Sequence, residues 1–223
     1  MKTISCFFVL CMMILTVESK AQSNMLENGF SLKFSFGFPP SQYGFDGDLP
    51  IPEELQLDNT FGLELGNQWY FYHGENFGLG LDVNWVDMVY GKAKTSDPVL
   101  GDVTRVTLEG SFLEFGPVGT FAINDIVALE GYYNLRPTYM GTYFYENSAS
   151  FFDPDDYVVL RDFSFLHGLG LGVRVKFLFI GYEYTFGSLD GKIDADGEFE
   201  EAELYGEQKM GAGNSKLIIG FQF

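Results

Sequence analysis

The chain has 223 residues, a formal net charge of −18, 17% aromatic residues and 27 glycines. So acidic a balance excludes nucleic acid as a partner. Both cysteines, Cys6 and Cys11, lie in the expected leader, which excludes disulfides and thiolate metal sites from the rest.

Residues 1–21 read as a cleaved secretory signal. Lys2 precedes an apolar run from Ile4 to Val17. Ser19-Lys20-Ala21 then puts small residues one and three positions before Gln22. The run is shorter than the roughly 20 residues a spanning helix needs. The remainder, 22–223, is long enough for one domain.

Beyond the leader the period is two. The first strand, 29–38, puts Phe30, Leu32, Phe34, Phe36 and Phe38 on one face and Ser31, Lys33, Ser35 and Gly37 on the other. A Pro-rich acidic loop follows. The second, 59–72, sets Phe61, Leu63, Leu65, Trp69 and Phe71 against Gly62, Glu64 and Gly66. Residues 73–76 make a tight turn. The third puts Phe77, Leu79, Leu81, Val83 and Trp85 outward and Gly78, Gly80, Asp82 and Asn84 inward. Residues 92–102 read as a polar loop.

In the fourth strand Leu113, Phe115, Pro117 and Phe121 face outward. Glu109 and Ser111 continue that face above the membrane, and Glu114 faces in. A short turn at Asn124-Asp125 leads to the fifth, with Val127, Leu129, Tyr133, Leu135 and Tyr139 outward and Glu130, Tyr132, Asn134 and Arg136 inward. After a loop near 145–157, the sixth sets Phe165, Leu169, Leu171, Val173 and Val175 against Gly168, Gly170, Gly172 and Arg174. The seventh has Leu178, Ile180, Tyr182, Tyr184 and Phe186 outward and Gly181, Glu183 and Thr185 inward. The longest loop, near 187–210, precedes the eighth, where Leu217, Ile219, Phe221 and Phe223 share one face and Lys216, Ile218, Gly220 and Gln222 the other.

Eight strands with connections alternating long and short predict an all-β, antiparallel up-and-down transmembrane barrel. Its last strand pairs with its first, which removes both sheet edges. Aromatics gather at two heights. Phe30, Trp69, Phe71, Phe77, Phe121 and Phe223 lie at the short-turn end; Phe38, Phe61, Trp85, Tyr139, Phe163 and Tyr184 lie at the loop end. Glycine on the polar face sets the polarity. It weakens a solvent-facing strand but makes room in a narrow lumen, so the apolar face is turned to lipid and the polar face inward.

This phasing puts Glu64, Asp82, Glu114, Glu130 and Glu183 in the lumen with Lys33, Arg136, Arg174, Lys176 and Lys216. Balanced buried charges imply an ion-pair network that plugs the lumen. The remaining acid sits in loops, at Asp46, Asp48, Glu53, Glu54 and Asp58 and again at Asp190, Asp194, Asp196, Glu198, Glu200, Glu201, Glu203 and Glu207. These read as a solvated surface, with divalent-cation capture as a secondary use. Residues 192–203 match an EF-hand loop at Asp194, Asp196, Gly197 and Glu203, but Lys192 stands where the first carboxylate belongs, so no metal site is expected. His73 reads as a turn residue. His167 faces outward with no serine beside it, so no catalytic residue and no cofactor are expected.

An apolar-faced last strand ending in Phe221 and Phe223 resembles the C-terminal signature of bacterial outer-membrane barrels. From Asn28 to Phe223 the chain resembles the small barrels of the OmpA-transmembrane and OmpX type, and the "outer membrane protein beta-barrel" porin-family group common in Bacteroidetes. The resemblance implies a Gram-negative outer membrane with periplasmic termini. It implies contact with outer-membrane lipid and lipopolysaccharide, and engagement of the barrel-assembly machinery through the last strand. Full OmpA proteins add a peptidoglycan-binding domain, and none is expected after Phe223. The functional expectation is a non-enzymatic barrel presenting acidic loops for surface contacts or envelope integrity. The alternatives are a small channel and, below it, a lipid-modifying enzyme.

Overall fold

A computed structural model describes residues 26–40, 43–44, 56–97, 101–146, 157–196 and 207–223. The expected signal at 1–21 lies outside them. The strands are β1 (Gly29–Phe38), β2 (Thr60–His73), β3 (Phe77–Asp97), β4 (Gly101–Ala122), β5 (Val127–Glu146), β6 (Tyr157–Val175), β7 (Leu178–Phe186), β8 (Ser188–Asp196), β9 (Glu207–Gly211) and β10 (Asn214–Gln222). β1 to β7 and β10 close into an antiparallel ring of eight. Closure is between β1 and β10, where Ser31 faces Gln222 and Phe38 faces Ser215. Phe30 and Phe223 exchange both main-chain hydrogen bonds, at 2.9 and 2.8 Å. Neither strand is left with a bare edge.

The described parts of two expected loops are largely strand. β3 and β4 stay paired from Phe77↔Phe121 out to Asp97↔Gly101, so 92–97 and 101–102 are paired strand. β8 and β9 continue β7 and β10 past Gly187, whose φ of 139° a side chain would resist. β8 then pairs with the far end of β6, Arg161 facing Lys192. The backbone of 192–196 is thus an extended strand and not the coiled start of an EF-hand loop. β3 to β6 run 21, 22, 20 and 19 residues. A bilayer needs about 9–11 per strand. The surplus rises on one side, opposite the short turns at 74–76, 123–126 and 176–177.

Two β-bulges change the phase midway up. The β2–β3 register steps from Leu65↔Val86 to Gly66↔Asn84, leaving Trp85 as the extra residue. The β4–β5 register steps between Ser111↔Thr138 and Phe115↔Leu135, with Leu113 at a left-handed φ of 58°. β3 and β4 stay in step with each other across this level. Below it even-numbered residues of both strands point inward; above it odd-numbered ones do. Glu109 and Ser111, expected outside, are therefore buried in the lumen, as is Asp87. Val83, expected outside, is buried at the bulge. Trp85, expected at the loop-side rim, meets Trp69 edge-on at 6.0 Å and donates to Asn67 Oδ1 at 2.7 Å, so the two tryptophans form one patch.

The outward face is apolar along the ring, with Phe34, Leu63, Leu81, Leu129, Leu171, Ile180 and Ile219 all exposed. The interior holds two apolar clusters. Near the turns are Tyr70, Val118, Tyr132, Phe179 and Ile218. In the raised part are Tyr43, Leu57, Met140, Phe144, Leu160, Leu166, Leu189 and Met210, among others.

Candidate functional site

A layer of charge lies between the two apolar clusters, with Glu130 and Arg174 on the turn side of Tyr132. Lys33, Glu64, Asp82, Glu114, Glu130, Arg136, Arg174, Glu183 and Lys216 all point inward and all are buried. Period-two strands in a closed ring aim alternate side chains at one axis, so residues from separate strands converge there.

Arg136 is the hub. Its guanidinium reaches Asp87 Oδ2 at 2.5 Å, Glu109 Oε1 at 2.9 Å, Glu114 Oε1 at 2.9 Å and Glu183 Oε1 at 3.1 Å. Lys216 joins from β10, 3.3 Å from Asp87 and 3.4 Å from Glu183. Lys33 sits 2.5 Å from Glu64 and 3.8 Å from Asp82, with its ammonium 5.0 Å from the centre of the Tyr132 ring. Nearer the turns, Arg174 lies 3.9 Å from Glu130 and donates to Gln222 Oε1.

The signs do not balance as expected. Among the described residues the interior holds seven buried carboxylates, Glu64, Asp82, Asp87, Glu109, Glu114, Glu130 and Glu183, against five cations, Lys33, Arg105, Arg136, Arg174 and Lys216. The bulges add Asp87 and Glu109. Lys176, expected inside, is exposed in the β6–β7 turn with a φ of 54°. Neutral donors cover part of the excess. Asn84 donates to Glu114 at 3.1 Å, Asn134 to Asp82 at 2.9 Å, Tyr132 to Glu183 at 3.0 Å and Gln68 to Glu130 at 2.7 Å. Buried carboxylates need such donors because water is gone.

A residue that period-two patterning does not reach caps this layer. Tyr43, between β1 and β2, is 1% exposed and donates to Glu109 Oε2 at 2.5 Å. Burial, then the Glu109 carboxylate, pushes its hydroxyl well above the usual range, so it stays a donor. Arg105 donates to the Tyr43 carbonyl, Thr142 donates to Gly44 O at 2.7 Å, and Gly44 N donates to Gly211 O at 2.7 Å. Tyr43 and Gly44 of the first connection thus sit in the mouth of the barrel.

Glycine makes the lower lumen possible. A Cβ on Gly170 would lie 2.1 Å from the Tyr132 ring, and one on Gly172 would lie 2.3 Å from the Phe179 ring. Both rings lie across the bore where these side chains would be.

Of the other candidates, His73 bonds to the Leu26 carbonyl at 3.0 Å at the turn end. His167 is not isolated. Its Nδ1 is 2.6 Å from the Tyr133 hydroxyl, and its ring stacks on Tyr133 and Phe186. Asp58 and Asp190 are exposed; Asp46, Asp48, Glu53, Glu54, Glu198, Glu200, Glu201 and Glu203 lie outside the described residues. No group of three or more candidate metal ligands occurs among the described residues.

No protein-family model and no curated protein matches the chain. Among solved structures it is similar to Ail, the attachment invasion locus protein of Yersinia pestis, at 16% identity and a TM-score of 0.44, over 88% of this chain and 97% of that one. It is similar to the outer membrane protease OmpT from Escherichia coli at 9% identity and 0.44, over 87% and 93%. A major outer membrane protein from Thermus thermophilus aligns at 13% identity and 0.41, over 88% and 99%.

Proposed function

We propose that the chain is an integral outer-membrane β-barrel of a Gram-negative bacterium. It is a non-enzymatic scaffold with periplasmic turns and termini and a lumen closed to solutes. Its raised strands and acidic loops form a surface outside the cell for contacts or envelope integrity. The last strand, ending in Phe221 and Phe223, is the part the assembly machinery would read, and 1–21 is the export signal.

The observation that carries this reading is the filled bore inside an apolar wall. An apolar outward face suits lipid, and a closed ring satisfies every strand edge there. Within it a cross-linked charge layer is stacked between two apolar clusters. Such packing supports a lumen closed to solutes.

A second reading, a narrow cation conduit, is favoured by the carboxylate excess, since one dominant sign suits a conducting pore. Planar-bilayer conductance of the refolded chain separates the two. Folding is first confirmed by heat-dependent gel mobility. A silent bilayer supports the closed scaffold. Steady, reproducible openings overturn it in favour of the conduit.

A further inference from the structure

His167 stands on the outward face of β6 between Phe165 and Leu169, both exposed, and opposite Leu135 on β5 and Phe186 on β7. It lies eight positions above Val175, where β6 meets its short turn. At about 3.3 Å per residue and a tilt of about 45°, that is about 19 Å above the turn level. The apolar band of such a wall is about 25 Å tall, so His167 lies inside the band, in its loop-side half. An ionisable ring at that depth marks a site whose partners have to be named.

The ring is held in place. It stacks between Tyr133, with ring centres 5.9 Å apart, and Phe186, at 5.2 Å, and Tyr184 continues the column beyond Phe186 at 6.0 Å. Its Nδ1 is 2.6 Å from the Tyr133 hydroxyl. That bond does not satisfy the pair. An imidazole and a phenol bring at least two N–H and O–H hydrogens between them, and one bond uses one. Where the phenol donates to Nδ1, the Nε2–H is left over; where Nδ1–H donates, the phenol hydrogen is left over. In both tautomers the pair keeps a donor with no acceptor among the described residues.

We propose that this donor takes the acyl-linkage carbonyl of a lipid in the leaflet on the loop side. The ester or amide oxygen accepts from the His167–Tyr133 pair, and the acyl chain lies along the ring column. Depth and hydrogen-bond chemistry select the occupant. Water is absent from the band, so the acceptor has to arrive on a lipid. Headgroup phosphates lie beyond the hydrocarbon, whereas acyl linkages lie at its edge, within reach of a side chain this close to it. A donor left unmet in such surroundings is costly, so a lipid with a carbonyl is held over one without. The proposal rests on the transmembrane reading.

The test uses the refolded, delipidated chain in uncharged detergent micelles, with native mass spectrometry counting retained lipid. The probes are a diester phosphatidylethanolamine and the diether lipid of the same headgroup and chain length, which lacks both carbonyls. The parent should retain the diester about fivefold over the diether, the worth of one ordinary hydrogen bond. The preference should vanish in Tyr133→Phe/His167→Phe, which keeps two rings and removes the hydrogens of the pair. Tyr182→Phe takes from the same wall a hydroxyl bonded to Ser215, and should keep it. Equal retention of the two lipids by the parent, or a preference that survives the double variant, overturns the site. Loss of the preference in Tyr182→Phe overturns its assignment to this pair. Lipid-free dimers that the double variant abolishes overturn the lipid in favour of a second copy. Competition with lipid A distinguishes the sources: displacement assigns the carbonyl to a glycolipid and its absence to a glycerophospholipid, and both uphold the site. A parent chain folded and soluble without detergent sinks the transmembrane reading, whereas a folded, micelle-bound chain without the preference sinks only the site. Should the double variant not fold, the comparison of diester with diether on the parent decides.

Discussion

Arg136 on β5 and Asp87 on β3 meet at 2.5 Å across the bore, 49 residues apart in the chain. Their meeting depends on Trp85. Were Trp85 paired in an unbroken pleat instead of bulged, Asp87 would share the outward phase of Leu81 and the hub would lose one of its four carboxylates.

Removing the hub should cost more than removing any other cation. Arg136→Leu removes the ion-pair partner of Glu109 and Glu114, and breaking a buried pair this way costs about 3–5 kcal/mol. Arg174→Ala should cost less, because Arg174 holds Glu130 only at 3.9 Å and Gln68 still donates to that carboxylate. Urea unfolding in vesicles ranks the two. An Arg136→Leu midpoint equal to the parent's would refute the network as a source of stability.

The cap is testable by a single oxygen. Tyr43→Phe keeps the ring but leaves Glu109 one donor short, a loss of about 1.5–3 kcal/mol for a bond to a charged acceptor. The urea midpoint should fall with little change in slope. If the connection does not enter the mouth in membranes, the midpoint will not move.

Gly170→Val forces a branched side chain into the space of the Tyr132 ring, where even a Cβ would be at 2.1 Å. The folded fraction on a heat-dependent gel should fall sharply. Pairing it with Tyr132→Ala should recover part of the loss, although the bond from Tyr132 to Glu183 goes with the ring. No recovery would mean the glycine acts through something other than this contact.

Leu113 holds the β4 bulge in a left-handed conformation, which costs a non-glycine residue about 1–2 kcal/mol. Leu113→Val adds a β-branch at that position and should destabilise. Leu113→Gly should fold with near-parental stability, relief of strain offsetting lost apolar surface. Equal unfolding midpoints for valine and glycine would argue against the strained bulge.

The alternation of apolar with polar or small residues is enough by itself to specify the ring of eight, its closure through the last strand and the inward direction of Lys33, Glu64, Arg136 and Lys216. Each of these follows from local periodicity, which a strand keeps as long as its pleat is unbroken. What tertiary structure alone decided lies where the pleat breaks or the chain leaves it. The bulges at Trp85 and Leu113 turned Asp87, Glu109 and Ser111 inward and tipped the interior toward negative charge. Tyr43 entered the mouth from a segment without periodicity, held by Glu109 and Arg105. Residues 188–196 became strand because β6 offered 192–196 an unpaired edge, and 207–211 pair in turn with β8. A bulge or a borrowed edge depends on the neighbouring strand, and a period-two pattern holds no record of its neighbour.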